Sequence, residues 1–293
     1  MKKVVLAVIA TLLASVLCFA IVGCGGSAKV KVIEIDLSHE EYGVAIKKGD
    51  TATKETVDAI VKKITGEGVD VDGKKVTFNS LYEAEMTALD NNDAISIGEV
   101  KTTSSDRSKE LVVATNAEFA PFEYFVGESF GGIDMQIAKI LAKEMGKELV
   151  ILHSSFETVL DNVKSGKADI ALAGLTINAD RLVDVDFSTA YYVTTQRIAV
   201  AADDTTFDSC KTEEDVVAAM KTLKNVKAGA AKTQTGYYYL TGNESFEFEG
   251  FPNLDIKQYN SITAAVQDLA NGTIGLVCGD KDVIAAAVKG VNR

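Results

Sequence analysis

The sequence is poor in the residues on which metal sites and nucleic-acid contacts depend. It has only two histidines in 293 residues, and 42 acidic side chains outnumber 30 basic ones, for a formal net charge of −12. His39 and His153 stand far apart, so no zinc-binding pattern is present. A surface this acidic repels nucleic acid. We therefore expect no metal, no cofactor and no nucleic-acid partner.

Cysteine is too scarce to form a disulfide framework. Only Cys210 and Cys278 follow the first 24 residues, and two cysteines do not make such a framework. We expect two free, partly buried thiols, while a single bond between them stays open for an exported protein.

Long apolar runs are also rare, and the one that approaches membrane-spanning length lies at the front of the chain. Lys2 and Lys3 precede an uncharged, mostly apolar run over residues 4–22, which ends at Gly23 and Cys24. This is the order of a secretory signal peptide. The small residue followed by cysteine resembles the lipobox of bacterial lipoproteins, which implies that Cys24 is lipidated. The alternative is an uncleaved signal anchor.

Strand and helix patterns alternate from Leu111 onward, which is typical of an α/β fold. Apolar residues over 111–115 predict a buried strand, and those from Ile133 to Met145 have helical spacing. Further strands are predicted over 149–152, 169–173 and 226–231, and further helices after the capping pairs Ser154 with Glu157 and Thr212 with Asp215 and over 262–269.

Two stretches about a hundred residues apart share one layout. Residues 163–172 and 269–278 each have a helix end, a glycine and a buried strand, and the strands run into Gly174 and Gly279. This repetition predicts two similar lobes. Ligands of open α/β sheets bind outside the carboxyl ends of the strands, so we expect a ligand cleft between the lobes.

Four segments together resemble one protein family. They are Ala-Thr-Asn-Ala-Glu-Phe-Ala-Pro-Phe-Glu at 114–123, Gly-Ile-Asp-Met-Gln-Ile at 132–137, Ala-Leu-Ala-Gly-Leu-Thr at 171–176, and Val-Asp-Phe-Ser at 185–188. The resemblance is to the extracellular solute-binding proteins, family 3, of polar amino-acid ABC importers. It implies a two-lobed periplasmic-binding-protein fold of type II. The sequence departs from the family at Asn116, Gln136 and Gly275.

The order of the segments also departs from the family. Residues 32–34 and 41–49, a helix over 57–64 and a terminal helix over 80–89 resemble the family's C-terminal part, which is expected after residue 293 but stands here at the front. We therefore predict a circular permutant, because termini of single domains are often close together. The alternative is an unrelated N-terminal segment on a truncated receptor.

The predicted organisation has seven segments. Residues 42–46 and 194–200 are expected to be the two strands that join the lobes. The segments are a signal peptide at 1–23, a lipid-anchored tether at 24–29, lobe II at 30–41, lobe I at 42–90, a connecting loop at 91–110, lobe I at 111–195 and lobe II at 196–293.

The resemblance also implies residues that bind the two charged groups of an amino acid. Arg181, whose guanidinium fork matches two oxygens, would bind the carboxylate. The Thr176 hydroxyl and backbone N–H groups near Thr235 and Gly236 would complete that site. Asp280 would bind the ammonium group. A solvated arginine and a plain turn acid are the alternatives for Arg181 and Asp280.

Three further residues match positions that surround the ligand's side chain in the family. Phe119 and Phe156 match flanking aromatic residues, and Asn116, with Glu118 as a weaker candidate, would contact polar groups. Gly174 would let the backbone approach the ligand closely. Phe156 could equally be only the first residue of an amphipathic helix, without contact to the ligand.

The resemblance implies a monomeric receptor that lies outside the cytoplasm, in the periplasm or on the cell surface, and is anchored to the cell membrane by the lipidated Cys24. It would bind a small polar or basic L-amino acid and deliver it to the permease of an ABC importer. An enzyme like the cyclohexadienyl or arogenate dehydratases, with a cleft carboxylate as general acid, is one alternative. A sensor that binds an amino acid without an importer is another.

Overall fold

The two lobes of the molecule are each built on a five-stranded sheet. The computed structural model describes residues 30–293, so the predicted signal peptide and tether lie outside the described residues. Within that part of the chain no helix is both long and apolar enough to cross a bilayer.

The strands are short and several are fully buried, as expected for sheets covered on both faces. Their bounds are β1 Val30–Ile33, β2 Glu40–Tyr42, β3 Ala45–Lys47, β4 Val69–Val71, β5 Lys74–Val76, β6 Glu110–Thr115, β7 Glu118–Phe119, β8 Glu123–Val126, β9 Ser129–Gly131, β10 Glu148–His153, β11 Ile170–Ala171, β12 Val185–Phe187, β13 Tyr192–Thr194, β14 Gln196–Ala201, β15 Lys227–Ala231, β16 Asp255–Tyr259 and β17 Leu276–Asp280.

The helices pack on these sheets through apolar stripes. Their bounds are α1 Thr51–Thr65, α2 Phe78–Asp90, α3 Ile133–Glu144, α4 Phe156–Lys164, α5 Ala179–Asp184, α6 Glu213–Thr222, α7 Thr235–Thr241, α8 Ile262–Ala270 and α9 Lys281–Val291, with a 3₁₀ turn at Glu244–Phe246.

The first sheet has the order β10-β6-β11-β3-β12, and the second has the order β1-β14-β17-β15-β16. Strand β6 pairs in parallel with β10 and β11, whereas β3 joins β11 and β12 antiparallel. Strand β1 pairs antiparallel with β14. Strands β1 and β3, the first two along the described chain that belong to a five-stranded sheet, therefore lie in different lobes.

The front of the described chain contributes to the core of the first lobe. Helix α1 buries Val57, Ile60, Val61 and Ile64, whose spacing places them on one face. Helix α2, which contains the predicted helix 80–89, contacts both α1 and α3.

A two-stranded ribbon connects the lobes. Strand β2 pairs antiparallel with β13 between the two sheets. The predicted joining strands, 42–46 and 194–200, were wrong by a few residues, because 45–47 belongs to the first sheet and 196–201 to the second. The extended pattern alone does not distinguish a crossing strand from the sheet strand that follows it.

One predicted capping box is confirmed and the other is wrong. The Thr212 hydroxyl accepts a hydrogen bond from the Asp215 backbone N–H, and the Asp215 carboxylate accepts one from the Thr212 backbone N–H. Helix α4 instead begins after Ser155, which makes no side-chain cap. Ser154 still belongs to the strand end: its backbone N–H donates to the Thr115 carbonyl at 3.0 Å, beside the parallel strands β6 and β10, and its hydroxyl accepts from the Asn162 side chain at 3.1 Å.

Both described cysteines are free, as predicted. Cys278 is buried in β17, and Cys210 is partly exposed. Among residues 30–293 no group of three or more histidine, cysteine or acidic side chains is arranged to hold a metal ion.

Candidate ligand-binding cleft

Asp280 lies at the carboxyl end of the buried strand β17, at the junction of the lobes. It is 3% exposed, and the Tyr42 hydroxyl on the crossing strand β2 donates a hydrogen bond to it. Burial, and secondly the nearby charge of Glu40, raise the pKa of Asp280 to about 7. A ligand that brings a positive charge would favour the ionised form.

Glu40 is a second buried acid in the same place, and sequence reasoning missed it. It is 4% exposed. One carboxylate oxygen accepts from Ser38 Oγ at 2.8 Å and Gln196 Nε2 at 2.9 Å, and the other accepts from Thr176 Oγ1 at 2.9 Å. These donors are neutral and come from both lobes, so Glu40 connects the lobes.

Two threonines meet across the cleft. Thr176 of the first lobe and Thr235 of the second have their hydroxyl oxygens 3.1 Å apart, and both residues are buried. Thr235 is the first residue of α7, so backbone N–H groups of its first turn lack partners within the helix. Such a helix start favours an anion.

Arg181 lies beside these hydroxyls. Helix α5 begins with Asn178 as its cap, because the Asn178 side chain accepts from the Arg181 backbone N–H. The guanidinium donates from Nη1 to the Thr176 carbonyl at 2.7 Å and lies 5.6 Å from the centre of the Phe156 ring. Burial lowers the pKa of Arg181, which is opposed by the charge of Glu40.

The two glycines of the predicted site are required by packing within each lobe. Gly174 has φ +54°, and a Cβ there would lie 2.8 Å from Cδ1 of Phe119. Phe119 is itself buried in the core beside Phe122. A Cβ at Gly236 would lie 2.7 Å from the Cys278 carbonyl oxygen. Phe119 thus fills space behind the cleft wall.

Asn116 and Phe156 line a cavity of about 260 Å³ between the lobes. Asn116 is held by a hydrogen bond from its side-chain amide to the Ser154 carbonyl at 2.9 Å. Across this cavity Lys232 of the second lobe forms an ion pair with Glu157 of the first at 3.0 Å. The other lining residues are Glu118, His153, Ser155 and Asn260.

A larger cavity of about 690 Å³ shares no lining residue with the first. It reaches Thr176 and Glu40 from the side of α6 and the segment 245–251. Of the residues predicted from the sequence, Thr176 lines the larger cavity and Asn116 and Phe156 line the smaller one, while Arg181, Thr235 and Asp280 line neither. Glu40, Tyr42 and Gln196 complete the region around Thr176.

Comparison with known proteins identifies the class. Residues 111–275 match the bacterial extracellular solute-binding proteins, family 3. The arginine-binding extracellular protein ArtP of Bacillus subtilis is 34% identical over 114 residues, which cover 39% of this chain and 44% of that protein. A probable histidine-binding protein of Neisseria gonorrhoeae is 28% identical over 188 residues, 64% of each chain.

Solved structures agree with this class. The ancestral amino acid-binding protein AncCDT-1, described as a precursor of cyclohexadienyl dehydratase, has a TM-score of 0.53 and 27% identity, over 62% of this chain and 75% of that one. This chain belongs to the family 3 solute-binding proteins, and the predicted two-lobed α/β fold is confirmed. The matched part of the chain spans 44% of the length of the Bacillus subtilis relative and 64% of the length of the Neisseria gonorrhoeae relative.

Proposed function

We propose that this protein binds a small polar or basic L-amino acid between its lobes and delivers it to an ABC importer. The observation that carries the proposal is the meeting of Arg181, Thr176 and Thr235 beside the buried acid Asp280. A buried zwitterion needs a partner for each of its charges. This cluster contains both.

The ligand carboxylate would lie between the Arg181 guanidinium and the start of α7. A guanidinium fork matches two carboxylate oxygens. The Thr176 hydroxyl, which donates to Glu40 in this structure, and the Thr235 hydroxyl would turn toward the ligand and donate to them. The ligand ammonium would lie at Asp280. The side chain would extend toward Asn116 and Phe156. Gly174, Gly236 and Phe119 would shape the walls without direct contact.

Closure of the lobes on the ligand would be the event that the importer detects. Contacts across the cleft already include the Thr176–Thr235 pair and the ion pair of Glu157 with Lys232. A ligand that adds contacts to both lobes favours the closed form in proportion to those contacts. The relatives named as arginine- and histidine-binding proteins make a polar or basic ligand the first to test.

The remaining features of the proposal concern location and chain order. We place the receptor outside the cytoplasm as a monomer, anchored through a lipid on Cys24. A circularly permuted order is supported by the way β1 joins the second sheet while β3 joins the first. About six residues would then separate the lipid from the second lobe, a reach of about 20 Å.

A dehydratase remains the second candidate because one observation favours it. Asp280, with its pKa raised to about 7, could hold and release a proton near neutral pH as a general acid needs to do. Turnover of prephenate or arogenate by the purified protein would support this function. Binding without turnover would support the receptor.

The experiment is calorimetric titration of the full-length protein in mild detergent against the twenty amino acids. We expect saturable binding of one polar or basic member. Arg181→Ala should weaken it about 100-fold, because the ligand carboxylate loses a buried, charge-assisted partner. Arg107→Ala is the matched control, since Arg107 bonds to Lys167 and Asp169 away from the cleft. Equal effects of the two variants, or no binding by folded protein, would contradict the proposal.

A further inference from the structure

We propose that the 690 Å³ cavity is a second binding site, for an organic cation with an aliphatic body such as a linear diamine or polyamine. It lies between the 37–41 segment, α6 and the 245–251 segment. This site goes beyond the amino-acid site: Thr176 lies between the two, but neither Arg181 nor Asp280 lines the cavity.

The charge of the cavity is strongly one-sided. Its lining includes five glutamates, and Lys221 is the one lysine or arginine among the lining residues. Lys221 is already paired with Glu249 at 3.1 Å. Within residues 30–293 the other four have no basic partner within 4.0 Å; they are Glu40, Glu41, Glu213 and Glu247.

Glu40 makes this more than a solvated acidic surface. Its carboxylate is buried, and the donors that reach it are the neutral side chains of Ser38, Gln196 and Thr176. The Arg181 guanidinium interacts with Glu40 only from beyond ion-pair distance, and a buried carboxylate is costly without a direct cationic partner. The cavity gives a cation access to this group.

Tyr239 provides an independent indication of a ligand. It lines the cavity, it is 5% exposed, and its hydroxyl has no hydrogen-bond partner in the described part of the chain. Buried polar groups are nearly always paired. A phenol oxygen accepts hydrogen bonds, so an ammonium group would supply the missing partner.

Aromatic rings determine the kind of cation. Phe246 and Phe248 lie stacked with ring centres 5.4 Å apart, and Tyr239 meets Phe248 edge to face at 5.1 Å. All three line the cavity. Aromatic faces attract alkylammonium groups and also cover methylene chains. The described acids form no cluster that could hold a metal ion, so an organic cation fits better.

The test is calorimetric titration of the full-length protein with putrescine in about 150 mM salt, where loose attraction between exposed charges is screened. We expect saturable binding. Glu247→Gln should weaken it about fivefold by removing a lining charge, and Tyr239→Phe about tenfold by removing the unpaired hydroxyl.

Glu244→Gln is the matched control. Glu244 is exposed at the start of the 3₁₀ turn that Glu247 follows, and it does not line the cavity, so this variant should bind putrescine like the parent protein. Equal weakening by Glu244→Gln and Glu247→Gln would mean general attraction to an acidic surface and would overturn the site. Absence of putrescine binding by folded protein would overturn it too. Neither result affects amino-acid binding, which is titrated separately.

Discussion

This molecule has two neighbouring pairs of buried carboxylates, and the two pairs differ in their surroundings. Glu40 and Asp280 form the cleft pair, and Glu123 and Asp134 form the core pair. In each pair one acid accepts a tyrosine hydroxyl: Tyr42 donates to Asp280, and Tyr191 donates to Asp134. The rings of these two tyrosines are 6.3 Å apart.

The core pair is enclosed. Glu123 and Asp134 are both 0% exposed, and among the described residues no N–H or hydroxyl donor reaches either oxygen of Glu123. The group that Glu123 meets is the Asp134 carboxylate, to which a protonated Glu123 donates. Burial, and secondly the charge of Asp134, raise the pKa of Glu123 well above its ordinary value. Its neutral form is therefore favoured.

The cleft pair is buried to a similar degree, but one of its members, Glu40, lines a cavity. Glu40 has three donors and lines the larger cavity. The comparison teaches that burial of paired acids does not by itself indicate a binding site. What distinguishes the cleft pair is that one of its members lines a cavity and that both members interact with the charge of Arg181.

The largest effect on the core pair is expected for Asp134→Ala. One oxygen of Asp134 accepts from the Gly174 backbone N–H and the Tyr191 hydroxyl, both at 2.9 Å. Without this acceptor two buried donors lose their partner, so the free energy of unfolding should fall by about 2–4 kcal/mol. Urea denaturation followed by circular dichroism measures it.

Asp134→Asn is the control, because an amide oxygen can still accept both hydrogen bonds. Its cost should be clearly smaller than that of alanine. A loss below about 1 kcal/mol in Asp134→Ala would show that the core pair does not anchor the segment around Gly174.

The pH dependence of ligand binding should distinguish the cleft pair. An ammonium ligand binds the ionised form of Asp280, and in the free protein the pKa of Asp280 is raised to about 7. Amino-acid affinity should therefore fall about tenfold per pH unit as the pH decreases below that value. Titrations between about pH 5.5 and 8 measure this slope, with Asp280→Asn expected to be weak and flat.

Stability of the ligand-free protein should change in the opposite direction. The folded-state pKa of Asp280 lies above its ordinary value of 3.8, so the native protein keeps a proton that the unfolded chain releases. The contribution of Asp280 to the free energy of unfolding is thus lost as the pH rises from about 4 to 7. A slope that Asp280→Asn does not reduce would disprove this assignment.

The residues of the proposed site could be named from the sequence because they stand in segments that resemble the family. Arg181 lies five residues after Thr176, and Asp280 follows a strand whose glycine and apolar residues are evident from the sequence. The Thr212 and Asp215 cap is equally local. The matching Ser154 and Glu157 pattern failed because the helix begins one residue later, after Ser155, while the Ser154 backbone stays paired with Thr115 at the strand end.

Glu40 could not be predicted, because its partners are distant in the sequence. Thr176 is 136 residues away and Gln196 is 156 residues away. No spacing rule connects them, and the preference of glutamate for solvent argues against burial. The same reason hides Tyr42, whose contact with Asp280 exists only after the lobes come together.

The smallest effect is expected for Glu123→Gln, and this makes it the sharpest test of the comparison. If Glu123 is held in its neutral form by burial, an amide of the same shape replaces it at a cost below about 1 kcal/mol. Glu40→Gln changes a group whose oxygens accept from three donors, and an amide can present only one oxygen to them. Urea denaturation should therefore find Glu40→Gln the more destabilising of the two, and the reverse order would mean that the core pair, not the cleft pair, depends on an ionised acid.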